Sequence, residues 1–547
     1  MSSGLALAPD RRLVLARLAS ERFDLLVIGG GITGAGVARD AAMRGLRVAL
    51  VEQEDFASGT SSRSSRLVHG GLRYLEHGAL GLVFESSRER RTLLRIAPHL
   101  VRPLSFIWPV YRGARITRWK LSAAMTVYDV LSLYRNVARH KRLAPRDVLA
   151  REPGLEPSRL QGGARYWDAA ADDARLTLAT ARSAAADGAV ILNHARVVGF
   201  VRDAARIVGA KVLAPLDDQA FEVRARVVVN ATGPWSDRVE RLARPGSIAG
   251  IRGSKGVHIC VPRSRAGNVA ALTLIAPQDG RVMFVLPAGS FTIVGTTDTF
   301  DDVAPEAVRA TEADVAYLLA AANEFLPHAR LTTADVVSAW AGLRPLAASA
   351  AVASAPGSTS REHAIQETEP GLVRVTGGKL TTYRAMASEV VDVVQQLSGA
   401  QLVRSRTANV PLIGGDLNDF ASEIAAATRD TGDAEIAARL VHAHGSEWRR
   451  IWALTDVDPG LRERVVAEGP YLLAELKFGV LEEMARTLAD LLIRRTPIAF
   501  ETADHGRSAA RRVAPAVAQW LGWSDSQADS ALADFDRESA RMFAIDS

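Results

Sequence analysis

Three glycines and one acid carry the clearest chemistry in this chain. Residues 23–52 read FDLLVIGGGITGAGVARDAAMRGLRVALVE. An apolar run at 25–28 stops at Gly29-Gly30-Gly31. Val37, Ala41 and Met43 follow at helical spacing, and a second apolar run at 48–51 ends in Glu52. Strand, glycine turn, helix, strand and a closing acid are the parts of a dinucleotide site. Gly29 makes the tight turn, Gly31 lets backbone approach a pyrophosphate, and Gly34 lets the helix lie close to the strand. The pyrophosphate sits at the helix N-terminus, where N–H groups and the helix dipole favour an anion. Glu52 is placed to accept hydrogen bonds from ribose hydroxyls, and its charge disfavours a 2′-phosphate and hence NADP. Gly30, Thr33 and Gln53 lie alongside and complete the candidate contacts of this half.

Two further glycine-rich stretches extend that site. Residues 55–78, DFASGTSSRSSRLVHGGLRYLEHG, combine glycines, hydroxyls and arginines. Their backbone donors suit phosphate or an isoalloxazine edge, which nominates Thr60, Ser61, Ser62, His69, Gly70 and Gly71. An apolar run in 227–235, VVVNATGPW, enters Ala231-Thr232-Gly233. Another, at 372–376, meets Gly377-Gly378-Lys379 and then a helix from about Leu380, bringing in Gly378, Leu380 and Thr381. Val197 stands at the start of a predicted strand and joins the same list. Repeated strand–glycine–helix junctions point to one long ligand wrapped by separated parts of a single domain.

The elements that must position these residues alternate in type. A marginal helix at 13–18 lies in an N-terminal extension. Helical patterns cover 80–97, a stretch that follows YWDAAADDARL and runs to 187, and 312–325 with Thr311 as its cap. Alternation predicts an antiparallel meander at 197–201, 207–213 and 221–229. Further strands are predicted at 190–192, 257–261, 272–276, 282–286, 291–295 and 336–339, with turns at Asp279-Gly280 and Gly289-Ser290. The motif GLRPL at 342–346 reads as a stiff turn, 349–360 as a low-complexity loop, and 417–547 as helical throughout.

A chain of 547 residues exceeds one core. Its net charge of +6 is spread along the sequence without a zinc-finger, heptad or RNA-binding pattern, so no nucleic-acid partner is expected. A single cysteine, Cys260, excludes an intramolecular disulfide and thiolate metal sites. Its apolar surroundings make it a buried bystander. No continuous apolar run marks a signal peptide or a spanning helix.

Taken together, TSSRSSRLVHGGLRYLEHG, APHL at 97–100, DDARL at 172–176, NATGPW, VGTTD at 294–298, GLRPL, GGKLTTYR at 377–384 and EMARTLADLLIRRT at 483–496 are far more specific than the first glycine motif alone. The chain resembles the FAD-dependent, respiratory glycerol-3-phosphate dehydrogenases of the glycine/D-amino-acid-oxidase-like flavoproteins, over nearly its whole length after residue 20. The resemblance implies an α/β Rossmann-like FAD-binding domain, an α+β antiparallel-sheet substrate domain and an all-α C-terminal domain. The boundaries are an extension at 1–22, an FAD domain at 23–105, 160–248 and 370–400, a substrate domain at 106–159 and 249–369, and helices at 405–547.

The resemblance also implies chemistry. FAD takes a hydride from C2 of glycerol 3-phosphate, giving dihydroxyacetone phosphate, and electrons pass on to a membrane quinone. A phosphate dianion calls for several cations, and the matching positions are Arg73, Arg344, Arg361 and Lys379, with Tyr74 shaping the pocket. His258 matches the family position for the base that takes the hydroxyl proton; a core histidine is the competing reading. Lys379 would contact substrate or stabilise the reduced ring. Two departures stand out: Ala169-Ala170-Ala171 after Asp168, and His442-Ala443-His444-Gly445, whose histidines lack a neighbouring acid, so no metal site is expected. The alternatives are an amine or amino-acid oxidase of the same superfamily and a membrane-surface FAD protein without turnover.

Quinone lives in the bilayer, so the chain is expected in the cytoplasm, attached peripherally to the inner face of the cytoplasmic membrane through an anionic surface. One candidate contact is the amphipathic segment 116–142 with its flanking basic residues. The other is the set of C-terminal basic residues Arg494, Arg495, Arg507, Arg511 and Arg512. The resemblance allows a homodimer without fixing it.

Overall fold

The computed structural model describes residues 10–71, 80–132, 137–247, 250–301, 303–347 and 363–547. The first apolar run forms strand Arg22–Ile28 at the centre of an eight-stranded sheet. Its parallel core runs, in spatial order, Leu372–Thr376, Gln219–Asn230, Arg22–Ile28, Val48–Val51 and Val190–Leu192. These strands are continuous apolar runs because helices cover both faces of a parallel sheet. Helix Ile32–Met43 packs against helices Asp173–Ala186 and Tyr383–Ser398. The predicted meander, Arg196–Asp203 with Arg206–Ala214, pairs antiparallel with the first half of Gln219–Asn230. The N-terminal helix Arg11–Ser20 buries Val14, Leu15 and Leu18, and Arg11 binds Asp217 and Asn193, so this extension is docked.

A second sheet of ten strands lies beside the first. Its order is Thr299–Phe300, Ile251–Pro262, Phe291–Gly295, Val282–Ala288, Ala271–Ile275, Val101–Tyr111, Leu160–Ala171 and Leu67–Val68, with Ser338–Ala347 and Lys141–Leu143 as added edges. Every pairing is antiparallel except Ala271–Ile275 with Val101–Tyr111. From Phe420 the chain is helical, apart from Ile545–Asp546, which pairs with Ala310–Thr311. The overall class is therefore the expected one: a Rossmann-like α/β unit, an α+β unit and a helical C-terminal unit.

Several elements differ from their sequence patterns. Val101–Tyr111 is a strand, although Pro103 and Pro109 hide it. GLRPL is part of strand Ser338–Ala347, with Arg344 opposite Ser254 and Pro345 opposite Gly253. Leu343 turns its carbonyl to the unpaired edge, where it accepts from Thr60 Oγ1 at 2.7 Å. Pro345, two residues on, faces the same way, where a missing N–H breaks no ladder bond. The helix expected from Leu380 begins as a 3₁₀ turn, Leu380–Thr382, and becomes α-helical at Tyr383. At the seams, Leu67–Val68 and Leu160–Ala171 pair within the second sheet, while Ala364–Glu369 pairs within the first.

Buried charges dock the C-terminal helices. In DDARL, Asp172 caps helix Asp173–Ala186, Asp173 accepts from Ser64 Oγ at 2.6 Å, and Arg175 forks onto both oxygens of Glu483 at 2.7 and 2.8 Å. Burial alone would raise the Glu483 carboxyl, but Arg175 and Arg182 hold it well below the usual range. Asp55 accepts from Arg494 at 2.7 Å and from Arg495 at 3.0 Å. Arg494 and Arg495 are thus buried at an internal interface, which removes them from the expected membrane-facing set. His444 finds its acid in Glu475, at 3.2 Å, across the helical unit.

Removing one member of a buried pair strands the other charge, at a cost of about 3–5 kcal/mol. Arg175→Ala is therefore expected to lower unfolding free energy in urea by about that amount. The double change Arg175→Met with Glu483→Leu should recover most of the loss.

Candidate functional site

One cavity of about 610 Å³ runs from the first glycine turn to the second sheet. At its near end Gly29 adopts φ 108°, and a Cβ there would lie 2.7 Å from the Ala231 carbonyl oxygen. Helix Ile32–Met43 has Gly31 at its cap and no side chain of its own to satisfy its first N–H groups. Ser61 Oγ accepts from Ile32 N–H at 3.0 Å. A Cβ on Gly31 would meet only Ser61, and one on Gly233 would meet nothing within 4 Å, so bare backbone faces open space at both places. Glu52 accepts from the N–H groups of Gly30 at 2.6 Å and Glu54 at 2.9 Å. Burial pushes its carboxyl up to about 7 despite these bonds. The carbonyl of Glu52 accepts from Ala195, which brings Val197 to the wall.

The middle of the cavity is pinned where two distant stretches meet. His69 N–H donates to Thr381 Oγ1 at 3.2 Å, and the Thr381 hydroxyl reaches the His69 carbonyl at 3.3 Å. Gly377 and Gly378, at φ 74° and 89°, turn the strand end so that Lys379 lines the wall.

At the far end, strands of the second sheet present His258, Arg344, Thr273, Tyr166 and Phe284. His258 is buried, stacks on Trp340 at 5.5 Å between centroids, and meets Ser65 Oγ through Nε2 at 2.8 Å. Burial first, then Arg344 and Arg66, push its pKa down to about 3. Arg344 reaches Asp298 at 3.3 Å and Thr296 Oγ1 at 3.2 Å. Arg281 also lines this end and donates to the Asp298 carbonyl.

The structure brings most of the nominated residues to one wall. Gly29, Gly31, Thr33, Glu52, Gln53, Thr60, Ser61, His69, Val197, Ala231, Thr232, Gly233, Gly378, Leu380 and Thr381 line the cavity, with His258, Arg344 and Lys379. Five others do not. Gly30 spends its N–H on Glu52, and Gly34 packs against the Gly29 carbonyl. Ser62 turns its hydroxyl back to Gly59. Gly70 donates to Asp168 Oδ1 at 3.0 Å, and Gly71 to His69 Nδ1 at 3.1 Å. Arg73, Tyr74 and Arg361 lie outside the described residues. Sequence reasoning passed over Arg281, Asp298 and Ser65. Asp298 and Ser65 sat inside noted motifs and Arg281 directly after a noted turn, but nothing local distinguished them.

Comparison with known proteins matches this geometry. Residues 24–392 fit the family described as FAD dependent oxidoreductase, and residues 405–528 fit the C-terminal domain of alpha-glycerophosphate oxidase. The chain belongs to the FAD-dependent oxidoreductase family, and FAD is its cofactor. It is 40% identical to a Mycobacterium tuberculosis protein named glycerol-3-phosphate dehydrogenase 2, covering 98% of this chain and 91% of that one. It is 33% identical to the aerobic glycerol-3-phosphate dehydrogenase of Staphylococcus haemolyticus, covering 95% and 94%. Its fold superposes on a glycerol-3-phosphate dehydrogenase from Bacillus halodurans crystallised with FAD, with TM-score 0.82, 33% identity and 98% of both chains covered.

The residues present fit FAD: an uncapped helix start and bare glycine backbone for the diphosphate, a buried carboxylate for ribose, and a long apolar-and-polar channel beyond. Glu52 also makes stability depend on pH. Its folded value of about 7 exceeds the ordinary 4.5, so between those limits the folded chain holds a proton that the unfolded chain has lost. Stability present below that window is therefore lost as pH rises through it, by on the order of 3 kcal/mol from this residue. Without FAD, unfolding free energy should fall from pH 4.5 to 7, and Glu52→Gln should remove that component of the slope.

Proposed function

We propose that the protein oxidises sn-glycerol 3-phosphate to dihydroxyacetone phosphate, with the electrons passing from FAD to a membrane quinone. The supporting observation is the union, in one cavity, of a dinucleotide cradle with a polar end that carries Arg344, Lys379 and His258. The names of the relatives point the same way. Bound FAD supplies the hydride acceptor. Arg344 and Lys379 attract and orient the phosphate, and Arg73, Tyr74 and Arg361 belong to the same proposed contact set. His258 takes the hydroxyl proton. Its lowered pKa keeps the ring neutral at working pH, as an acceptor must be. Asp298 fixes the direction of the Arg344 fork, so less side-chain freedom is lost when an anion binds.

Membrane attachment is proposed through helix Arg118–Leu131. Leu121, Met125 and Tyr128 face inward, while Trp119, Val127 and Val130 are 69%, 42% and 46% exposed. That outward stripe is bordered by Arg115, Arg118 and Lys120, the pattern of a helix lying in an anionic interface. No helix among the described residues is long and apolar enough to cross a membrane. The proposed place is the inner face of the cytoplasmic membrane.

An anaerobic spectrum before and after glycerol 3-phosphate tests the reaction: the flavin band should bleach. Bleaching by sarcosine or a D-amino acid instead would replace the reading with an amine or amino-acid oxidase. Arg344→Ala should raise KM for glycerol 3-phosphate by a factor of about 30–1,000, the equivalent of 2–4 kcal/mol for a lost charged hydrogen bond. An unchanged KM would take Arg344 out of the phosphate site. Replacing Arg118, Trp119 and Lys120 by Glu should abolish cosedimentation with phosphatidylglycerol vesicles; undiminished binding would move the contact elsewhere.

A further inference from the structure

The surroundings of His258 leave it one polar exit. Trp340 covers one ring face, with planes 16° apart. Gly295 abuts the Cδ2 edge so closely that a Cβ there would overlap the ring. Nδ1 is enclosed and has no hydrogen-bond partner among the described residues. Nε2 lies 2.8 Å from Ser65 Oγ. Ser65 itself is only partly buried and lines the cavity. A hydroxyl that lines the cavity is therefore bonded to Nε2, the one ring nitrogen with a hydrogen-bond partner among the described residues.

We propose that Ser65 relays the proton: the C2 hydroxyl of the substrate is deprotonated by Ser65 Oγ while the Ser65 proton passes to His258 Nε2. This rests on the reading of the site as a glycerol 3-phosphate oxidation centre, and it changes which group touches the substrate. The balance is complete with species already named. The substrate O–H and C2–H bonds break, and a C2=O double bond forms. The hydride goes to FAD, the hydroxyl proton replaces the one Ser65 gives up, and the surrendered proton ends on Nε2. Carbon is oxidised by two electrons and FAD is reduced by two. The relay uses the tautomer with its proton on Nδ1, so that Nε2 is bare and accepts from Ser65.

The alternative of direct contact between His258 Nε2 and substrate requires the 2.8 Å hydrogen bond to Ser65 to break. The charged groups around the ring are Arg344, on the paired strand, and Arg66, on the loop that carries Ser65. Both oppose a lasting imidazolium. A phosphate dianion at Arg344 offsets that opposition when substrate is bound, so proton uptake by His258 is tied to occupancy of the site.

The test uses FAD-loaded enzyme in anaerobic stopped flow. Ser65→Ala should slow the limiting rate of flavin bleaching by 10²–10⁴-fold, the range for loss of general-base assistance. FAD content and the calorimetric Kd for dihydroxyacetone phosphate should stay within twofold of the wild type. Ser65→Thr, which restores a hydroxyl, should recover the rate to within about tenfold. The wild type should show a curved proton inventory in mixed H₂O and D₂O, indicating two protons in flight. Full-speed bleaching by Ser65→Ala overturns the relay, as does a slow rate that Ser65→Thr fails to restore or that accompanies weakened product binding. Absence of bleaching in the wild type removes the substrate reading itself, a separate outcome.

Discussion

Gly34 sits where no side chain fits: a Cβ there would overlap the carbonyl oxygen of Gly29. This contact presses the first helix onto the first turn and aims its uncapped N-terminus into the cavity. Gly29 in turn lies against Ala231, so the ends of two neighbouring parallel strands are drawn together at the point where the sheet's connections diverge. Such a crevice is where open α/β sheets bind ligands. The remaining walls are built outward from it: Glu52 closes the next strand, and the His69–Thr381 bonds tie in the loop and the third junction. Any side chain at Gly34 would move the helix, and with it every contact that follows.

The C-terminal helices act on the same centre from behind. Asp55, three residues past Glu52, is held by Arg494 and Arg495. Phe500 packs edge-on against Trp340 at 5.1 Å, and Trp340 stacks on His258. Arg66 lies over both Trp340 and Phe500, at 5.6 and 4.7 Å from their centroids. His258 is therefore clamped by an aromatic series whose last member belongs to the helical unit. Buried ion pairs add little net stability against apolar replacements, but they penalise misdocking heavily. Here that penalty fixes the placement of Phe500, and through Trp340 it fixes the ring.

The near half of the site was legible in sequence because its chemistry is backbone chemistry. Glycines at set spacings, an acid ending a strand and apolar runs follow from local geometry, and the parallel core appears where those patterns placed it. The far half was less legible because its residues meet across strands distant in sequence. Ser65 and His258 are 193 positions apart, and Arg344 and Asp298 are 46 apart. Proline obscures two strands: GLRPL lies on an edge strand, and in Val101–Tyr111 the prolines lie outside Phe106 and Ile107, the two residues paired with Ala271–Ile275. Arg494 and Arg495 misled for a different reason. Basic residues in a helical stretch read as solvent-facing unless their acids are known, and Asp55 lies more than four hundred residues earlier.

On the proposed reading, charge placement at the far end governs what the cavity selects. Arg344 and Arg281 both converge on Asp298, one on its carboxylate and one on its carbonyl. Arg281 is also paired with Asp279, at 3.0 Å, so Arg344 and Lys379 are the cations of this wall that the proposed reading assigns to the ligand. Two cations suit the phosphate dianion of the proposed substrate. Burial first, then Arg344 and Arg66, keep the His258 ring neutral. In the proposed reaction, anion binding and proton acceptance thus share Arg344, held in register by its pairing with Ser254 across the two strands.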